Sequence, residues 1–228
     1  MYEEKIIPPK KAMPQAQDGT LRKFALRVPE VIYQCSGIIV FGKRIKSLVF
    51  STDLSIIKNV NADAIIAVYP FTPQPIITQA LLLAADIPVF AGVGGGLTKG
   101  QRVVNLAMFA EMQGATGVVV NAPTANTVVQ HVAETIDIPV VVTVARADTD
   151  FEARLQAGAN IFNVSAAAET PAIVRSIRER YPDVPIIATG GPTDESILET
   201  IQAGANAITW TPPSNGEIFR DIMAAYRD

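Results

Sequence analysis

The sequence predicts an α/β fold, a (β/α)8 TIM barrel with an N-terminal extension. From Leu48 onward, short apolar runs alternate with segments of helical periodicity, and this alternation occurs eight times. The strands are also entered through two alternating tripeptide patterns, which indicates an internal repeat. Eight strand–helix units that close on themselves form a barrel, whereas a doubly wound open sheet gives no reason for such a repeat.

The predicted strands are apolar on both faces, as expected of parallel strands that helices cover. They span residues 48–52, 64–69, 88–93, 117–121, 139–145, 160–165, 185–189 and 207–211. Helical spacing of apolar residues, together with capping residues at the N-terminus, marks the helices. The helices span residues 53–60, 73–85, 99–113, 125–136, 150–157, 170–181, 194–203 and 215–226.

The repeat unit is two strand–helix steps, about 45 to 50 residues long. Within each unit, one strand follows an Asp-Ile/Val-Pro tripeptide and the next follows a Gly-Ala-Thr/Asn tripeptide. These tripeptides are Asp86–Pro88, Asp137–Pro139 and Asp183–Pro185, alternating with Gly114–Thr116, Gly158–Asn160 and Gly204–Asn206.

Residues 1–44 are predicted to form an N-terminal arm and a hairpin, and residues 45–228 the barrel. The first 20 residues contain three prolines and no periodicity, so we interpret them as an arm, either loose or wrapped on a neighbouring subunit. Residues 37–50 predict a hairpin that leads into the first barrel strand, and a helix over residues 28–36 is a further possibility.

Composition restricts the class of protein. Hydrophobic residues make up 49% of the chain and charged residues 18%, which indicates a globular protein with a large core. The net charge of −3 and the lack of a dense Lys/Arg stripe argue against nucleic acid as a partner. Neither a signal peptide nor a membrane span is predicted, and a cytoplasmic protein is expected. Cys35, the single cysteine, is predicted to be a buried and inert thiol.

In this fold the active site lies at the carboxyl ends of the strands, and the loops after the seventh and eighth strands often hold phosphate. Glycine lets an anion approach the backbone, and free N–H groups at a helix N-terminus bind it. The alternative is that these loops form only a turn and a helix cap. Glu217 opposes phosphate binding unless it folds back as a cap. The predicted phosphate-binding residues are Gly190, Gly191, Ser214, Asn215 and Gly216.

A second glycine-rich segment, with Gly94, Gly95, Gly96 and Lys99, follows the third strand. Its Thr-Lys order is the reverse of the order that ends a P-loop. We interpret the segment either as a substrate-covering loop, whose lysine meets an anionic substrate, or as a solvent loop. Thr98 begins a predicted capping box for the next helix.

Three polar residues near strand ends are candidates for the catalytic end of the site: Asp53, Arg146 and Asn163. Asp53 is either a general base or a helix cap, and the cap is favoured. Arg146 either binds substrate or pairs with Asp148. Buried amides need partners, so Asn163 and Asn121 are either ligand contacts or members of a polar network.

Two aromatic residues after the second strand, Tyr69 and Phe71, either wall a pocket or close the barrel top. The single histidine, His131, falls on an outer helix, away from the site. No cluster of histidine, cysteine and carboxylate residues has metal-ligand spacing, so no tightly held metal is predicted, and a weakly bound Mg²⁺ stays open.

Residues 188–191 (Ala-Thr-Gly-Gly) and 204–206 (Gly-Ala-Asn) resemble motifs of the phosphate-binding (β/α)8 barrel superfamily. That superfamily includes thiamin phosphate synthase, ribulose-phosphate epimerase-like enzymes, indole glycerol-phosphate synthase and the keto-deoxy-phosphogluconate aldolases. The aldolases' strand lysine and the epimerases' metal ligands have no counterpart here. The resemblance therefore implies a phosphate-binding barrel without pointing to one family.

Three functions follow from these patterns. The first is an enzyme of lyase, isomerase or synthase type that acts on a small phosphorylated metabolite. The second is an FMN-binding oxidoreductase, and the third is a non-catalytic metabolite-binding or regulatory barrel. An apolar stripe on the third helix predicts a homo-oligomer, unless it simply packs the helix onto the barrel. The stripe consists of Leu106, Met108, Phe109 and Met112.

Overall fold

The computed structural model describes residues 25–227, so the predicted arm over residues 1–20 lies outside the described residues. The described chain begins with a short 3₁₀ helix, Glu30–Gln34, within the segment for which a helix was a further possibility. An antiparallel hairpin follows, formed by β1 (Ile38–Val40) and β2 (Lys43–Ile45).

Eight parallel strands then close into a barrel, which confirms the predicted fold. They are β3 (Ser47–Phe50), β4 (Ala64–Ala67), β5 (Val89–Gly94), β6 (Gly117–Val120), β7 (Val140–Val144), β8 (Ile161–Val164), β9 (Ile186–Thr189) and β10 (Ala207–Trp210). Each strand pairs with its neighbours in chain order, and β10 pairs with β3 to close the ring.

A helix follows every barrel strand. The helices are α1 (Leu54–Lys58), α2 (Pro75–Ala84), α3 (Gln101–Met112), α4 (Asn126–Thr135), α5 (Phe151–Gln156), α6 (Thr170–Arg180), α7 (Asp194–Gln202) and α8 (Asn215–Ala225). No predicted bound of a barrel strand or helix lies more than two residues from the observed one.

Two separate clusters of buried residues form the core. The larger cluster lies between the barrel wall and the helices and includes Val104, Val174 and Ile197. The smaller cluster fills the barrel interior, with Phe90 and Ile187 among its members. Ile38, Val40 and Ile45 of the hairpin belong to this interior cluster, so the hairpin closes the N-terminal end of the barrel and leaves the opposite end as the mouth.

Cys35 is 1% exposed, and burial raises the pKa of its thiol to about 12, as expected of an inert cysteine. Of the predicted oligomer stripe, Leu106 packs against the core, whereas Met108, Phe109 and Met112 are exposed. The homo-oligomer stays a prediction. Among the described helices, none has the length and apolar character needed to cross a membrane.

Candidate functional site at the barrel mouth

Four neutral polar side chains line one half of the mouth, on consecutive strands β7 to β10. Alternation along each strand places Thr143, Asn163, Thr189 and Thr209 two residues beyond interior apolar positions, so they face inward. Asn163 Nδ2 lies 3.4 Å from Thr143 Oγ1. We call these four residues the polar half of the mouth.

Two oxygen atoms of the polar half are buried without a hydrogen-bond partner among the described residues. They are Asn163 Oδ1 and Thr209 Oγ1, in side chains whose residues are 8% and 7% exposed. An unsatisfied buried polar atom costs about 1–3 kcal/mol, so such atoms normally have a partner in water or a ligand. This arrangement is suited to binding a small polar molecule.

The two glycines after β9 have different structural roles. A Cβ on Gly190 would lie 2.7 Å from Ile197 Cγ1 and 2.9 Å from Ile208 Cγ2, so this glycine allows α7 to pack closely on the barrel. Gly191 has φ +86°, in the left-handed region that favours glycine, and lines a cleft of about 400 Å³ with Thr209. Gly190 and Gly191 also line a second cleft of about 450 Å³ together with Thr189, so the backbone of both glycines borders open space.

The N-terminus of α7, beside this loop, is already capped. Thr193 Oγ1 accepts a hydrogen bond from Ser196 N, and Ser196 Oγ accepts one from Thr193 N. Asp194 and Glu195 lie in the first turn, and hydrogen bonds from the Glu195 backbone and the Thr193 side chain lower the pKa of Glu195. Two carboxylates thus already use the favourable end of this helix dipole.

The N-terminus of α8 carries a capping box, so the helix cap that the sequence offered as an alternative for this loop is present. Ser214 Oγ accepts from Glu217 N at 3.3 Å, and Glu217 Oε2 accepts from Ser214 N at 2.7 Å. Glu217 folds back as a cap. A phosphate site in this loop requires this position of the carboxylate, as expected from the sequence. The N–H groups of Asn215 and Gly216 lie in the first turn of α8, where no carbonyl group of the same helix can accept from them. They are therefore available to an anion.

Asp53 caps α1, as favoured from the sequence. Its Oδ1 accepts hydrogen bonds from Ser55 N, Ser55 Oγ and Ile56 N, and its Oδ2 accepts from Asn215 Nδ2. Asn215 also donates to Ser55 Oγ at 2.9 Å, so the side chains of these residues tie α8 to α1. The structure thus shows Asp53 in the capping role, and a catalytic role for this carboxylate stays a prediction.

The hydrogen bonds from the Ser55 side chain and from the backbone of Ile56 and Ser55 lower the pKa of Asp53. A carboxyl group with a lowered folded-state pKa stabilises the protein above its unfolded pKa, near 4, and this contribution is lost as the pH falls through the folded pKa. Asp53→Asn keeps a capping oxygen but replaces the Oδ2 acceptor of the bond from Asn215 Nδ2, so it is expected to cost about 1 kcal/mol of unfolding free energy at pH 7. The difference from wild type should shrink below about pH 4 in urea titrations at several pH values. A constant difference down to pH 2 would contradict this assignment.

Arg146 pairs with Asp148 in the loop after β7. Arg146 Nε and Nη2 donate to the two carboxylate oxygens at 2.9 and 2.8 Å, and both side chains are largely exposed. This bidentate contact raises the pKa of Arg146 and lowers the pKa of Asp148. The pairing alternative is what the structure shows, and a substrate contact for Arg146 stays a prediction.

The glycine-rich loop after β5 packs tightly against the loop after β6. Gly95 N donates to Thr98 O, and Asn121 N donates to Gly94 O, both at 2.9 Å. The predicted capping box at Thr98 is wrong, because Gly100 is the N-cap of α3 and makes no side-chain cap bond. Thr98 is instead 4% exposed, with a buried Oγ1 that has no partner in residues 25–227. Lys99 is exposed.

A cleft of about 170 Å³ opens between the loops after β4, β5 and β6. We call it the β4–β6 cleft. Tyr69 and Phe71 wall it, as one of the two interpretations of the sequence expected. The rest of its lining comes from the same three loops and the strand ends before them: Val68, Pro70, Pro73, Gly92, Gly94, Gly96, Leu97, Thr98 and Asn121.

Within the described part of the chain, no group of three or more histidine, cysteine, aspartate or glutamate residues is placed to hold a metal ion. A weakly bound Mg²⁺ needs only one or two carboxylates together with water, and it stays a prediction. The polar half itself consists of neutral residues. Sequence reasoning missed Thr143, Thr189 and Thr209, although counting two positions on from the interior apolar residues would have found them.

Neither a protein family model nor a curated protein sequence matches this chain. Many solved structures are similar in fold. One is 2,3-dimethylmalate lyase, a PEP mutase/isocitrate lyase superfamily member, with a TM-score of 0.62 and 12% identity over 91% of this chain and 85% of that chain.

A second similar structure is phosphoenolpyruvate phosphomutase from Streptomyces platensis subsp. rosaceus, with a TM-score of 0.60 and 15% identity over 86% of this chain and 83% of that chain. A third is phosphonopyruvate hydrolase in complex with oxalate and Mg²⁺, with a TM-score of 0.58 and 14% identity over 81% and 80% of the two chains. At these identities the likeness establishes the barrel fold. It gives no specific support to the thiamin phosphate synthase group or to FMN.

Proposed function

We propose that this chain is a lyase-type enzyme that acts on a small organic acid, phosphorylated or not, bound at the barrel mouth. The observation that carries the proposal is the pair of buried, unpartnered oxygens, Asn163 Oδ1 and Thr209 Oγ1, at interior strand ends. Active sites of this fold lie at that end of the barrel. The similar structures are named as enzymes of dimethylmalate, phosphoenolpyruvate and phosphonopyruvate, which are small acids.

Three members of the polar half have a defined capacity in this proposal. The amide of Asn163 accepts a hydrogen bond from a substrate hydroxyl group through Oδ1 or, after rotation of the amide, donates one to a carboxylate through Nδ2. The hydroxyl groups of Thr209 and Thr189 donate to a carboxylate or carbonyl oxygen. The acid group lies towards Gly191 and the first-turn amides of Asn215 and Gly216, and Arg146 and Lys99 attract it from the rim.

The charge distribution favours a carboxylate over a phosphate monoester within this proposal. Asp194 and Glu195 lie in the first turn of α7, and Glu217 lies in the first turn of α8, where Asp53 bonds to Asn215. Each of these carboxylates repels an anion, and the repulsion of a dianion is about twice that of a monoanion. A singly charged acid therefore fits the last two loops better than phosphate does.

Binding of oxalate tests the polar half, and inorganic phosphate serves as the comparison anion. In calorimetric titrations, Asn163→Leu and Thr209→Val are each expected to weaken oxalate binding about tenfold, since each removes a buried polar partner worth about 1–3 kcal/mol. Thr78→Val is the matched control, because Thr78 is a buried threonine on α2. Glycolate, which is a monoanion, is expected to bind more tightly than inorganic phosphate, which is partly a dianion at pH 7. Equal oxalate affinity in all four proteins would overturn the proposal.

A non-catalytic metabolite-binding barrel is the second candidate, and the neutrality of the polar half favours it. Incubation with 2,3-dimethylmalate, phosphoenolpyruvate and phosphonopyruvate, followed by ¹H and ³¹P NMR, separates the two candidates. The enzyme is supported if the wild type and Thr78→Val form a product and Asn163→Leu does not. Oxalate binding without any product from these acids supports the binding barrel.

A further inference from the structure

We infer that the β4–β6 cleft is a second subsite that takes a compact apolar group of the ligand, about the size of a six-membered ring, bearing a hydroxyl or carbonyl substituent. The acid end of this ligand rests on the proposed function, whereas the cleft stands on its own residues. The proposed substrate is thus a small acid that carries a ring or a short branched chain.

Two exposed apolar side chains on separate loops mark the rim of the cleft. Phe71, in the loop after β4, is 73% exposed, and Leu97, in the loop after β5, is 85% exposed. Both line the cleft, together with the apolar Val68, Pro70 and Pro73. Large apolar side chains that converge on one concave site leave apolar area in water until a ligand covers them.

The volume limits the size of the group. An apolar protein cavity of about 150 Å³ binds benzene. The β4–β6 cleft has a comparable volume of about 170 Å³, which admits one ring or a branched chain of similar size and not a fused ring system such as a flavin.

Three polar groups show that the bound group is not purely hydrocarbon. Asn121 lines the cleft, and its side-chain amide can both donate and accept hydrogen bonds. Tyr69 OH accepts a hydrogen bond from Gln74 N at 2.8 Å, which leaves its own hydrogen to donate. Thr98 Oγ1 is buried and unpartnered beside them. A hydroxyl or carbonyl substituent on the ring would satisfy these groups.

Two probes separate the cleft from the polar half. 4-Fluorophenol carries a ring and a hydroxyl group without an acid, and ¹⁹F NMR detects its binding. Oxalate carries acid groups without an apolar part. Leu97→Ser is expected to weaken 4-fluorophenol binding about fivefold, because it removes apolar contact area, and to leave oxalate binding unchanged. Leu83→Ser, at an α2 residue that is 80% exposed, is the matched control.

Filling the cleft gives the stronger test. Gly96 lines the cleft, lacks a left-handed φ, and has only Asn121 Nδ2 within 4 Å of an added Cβ, at 3.8 Å. Gly96→Leu is therefore expected to fold and to weaken 4-fluorophenol binding at least about tenfold. Circular dichroism and thermal unfolding check the fold of each variant.

The outcomes distinguish the two proposals. The subsite is supported if 4-fluorophenol binds more weakly to Leu97→Ser and Gly96→Leu than to the wild type. Its affinity for Leu83→Ser and Asn163→Leu should be unchanged. This conclusion does not depend on whether oxalate binds. Failure of wild-type protein to bind 4-fluorophenol, or equal affinity in folded Gly96→Leu, overturns the subsite. Loss of oxalate binding in Asn163→Leu would still support the proposed function in that case.

Discussion

Alanine at Gly95 is expected to lower the free energy of unfolding by about 3 kcal/mol or more, because strain and steric overlap act together. Gly95 has φ +104°, in the region that side chains rarely adopt. An added Cβ would lie 1.8 Å from Thr124 Oγ1 and 2.9 Å from Asn121 N. Neither atom can yield alone, since Thr124 Oγ1 donates to Asn121 O at 2.7 Å within the same loop.

Urea denaturation monitored by tryptophan fluorescence and circular dichroism measures this loss. Gly96→Ala is the matched control, because the neighbouring glycine has no left-handed φ and its added Cβ would contact Asn121 Nδ2 at 3.8 Å. We expect the control to change the unfolding free energy by less than about 0.5 kcal/mol. Equal stability of the two alanine variants would show that the loops after β5 and β6 do not constrain each other.

Arg154 explains why the loop after β6 cannot simply move away. Its guanidinium donates to Ala122 O at 2.7 Å, to Asn126 Oδ1 at 2.8 Å, and to Thr124 O. Burial lowers the pKa of this arginine, and the three acceptors that hold its guanidinium are neutral. The wall of the β4–β6 cleft is therefore held from behind by α5.

The sequence was sufficient for the barrel because each strand repeats the same physical signal. An apolar run rich in β-branched residues, such as Val118 to Val120, follows a glycine turn or an Asp-Ile/Val-Pro tripeptide and ends at a capping or loop residue. Closure of the ring by β10 and β3 is a consequence of the count and of parallel pairing. Local chemistry therefore sets the fold with little ambiguity.

The site was less accessible because its contacts join residues far apart in the chain. Asp53 has one cap partner two residues away, which the sequence pattern indicates, but its bond to Asn215 spans 162 positions. Thr98 matched a capping pattern, yet the left-handed φ of +58° at Gly100 gives the cap position to the glycine. The backbone conformation decides which of Thr98 and Gly100 becomes the N-cap, and the sequence pattern does not indicate that conformation.

Methionine at Arg178 is expected to lower the free energy of unfolding by about 2 kcal/mol, because several partly buried acceptors lose one donor at once. Arg178 Nε and Nη2 both donate to Gly204 O, at 3.2 and 2.9 Å, and Nη1 donates to Val184 O at 3.0 Å. Nη2 also donates to Asn206 Oδ1 at 2.7 Å. The side chain thus joins the turns that lead into β9 and β10.

The effect should extend to the hairpin, because Asn206 continues the network. Asn206 Nδ2 donates to Ser36 Oγ at 2.9 Å, and Asn206 O accepts from Gly37 N at 2.8 Å. Arg178→Lys keeps the charge but not the planar fork, so it should recover only part of the loss. Arg175→Met, at an exposed residue on the same helix, is the control and should change stability by less than about 0.5 kcal/mol.

Binding measurements on the same variants distinguish stability from function. The Arg178 network lies at the N-terminal end of the strands, where the fold is stabilised, whereas the polar half lies at the opposite end. Folded Arg178→Met is therefore expected to bind oxalate with the wild-type affinity while unfolding at a lower urea concentration. Equal stability of Arg178→Met and Arg175→Met would contradict the network. A loss of oxalate affinity in fully folded Arg178→Met would show instead that the two ends of the barrel are coupled.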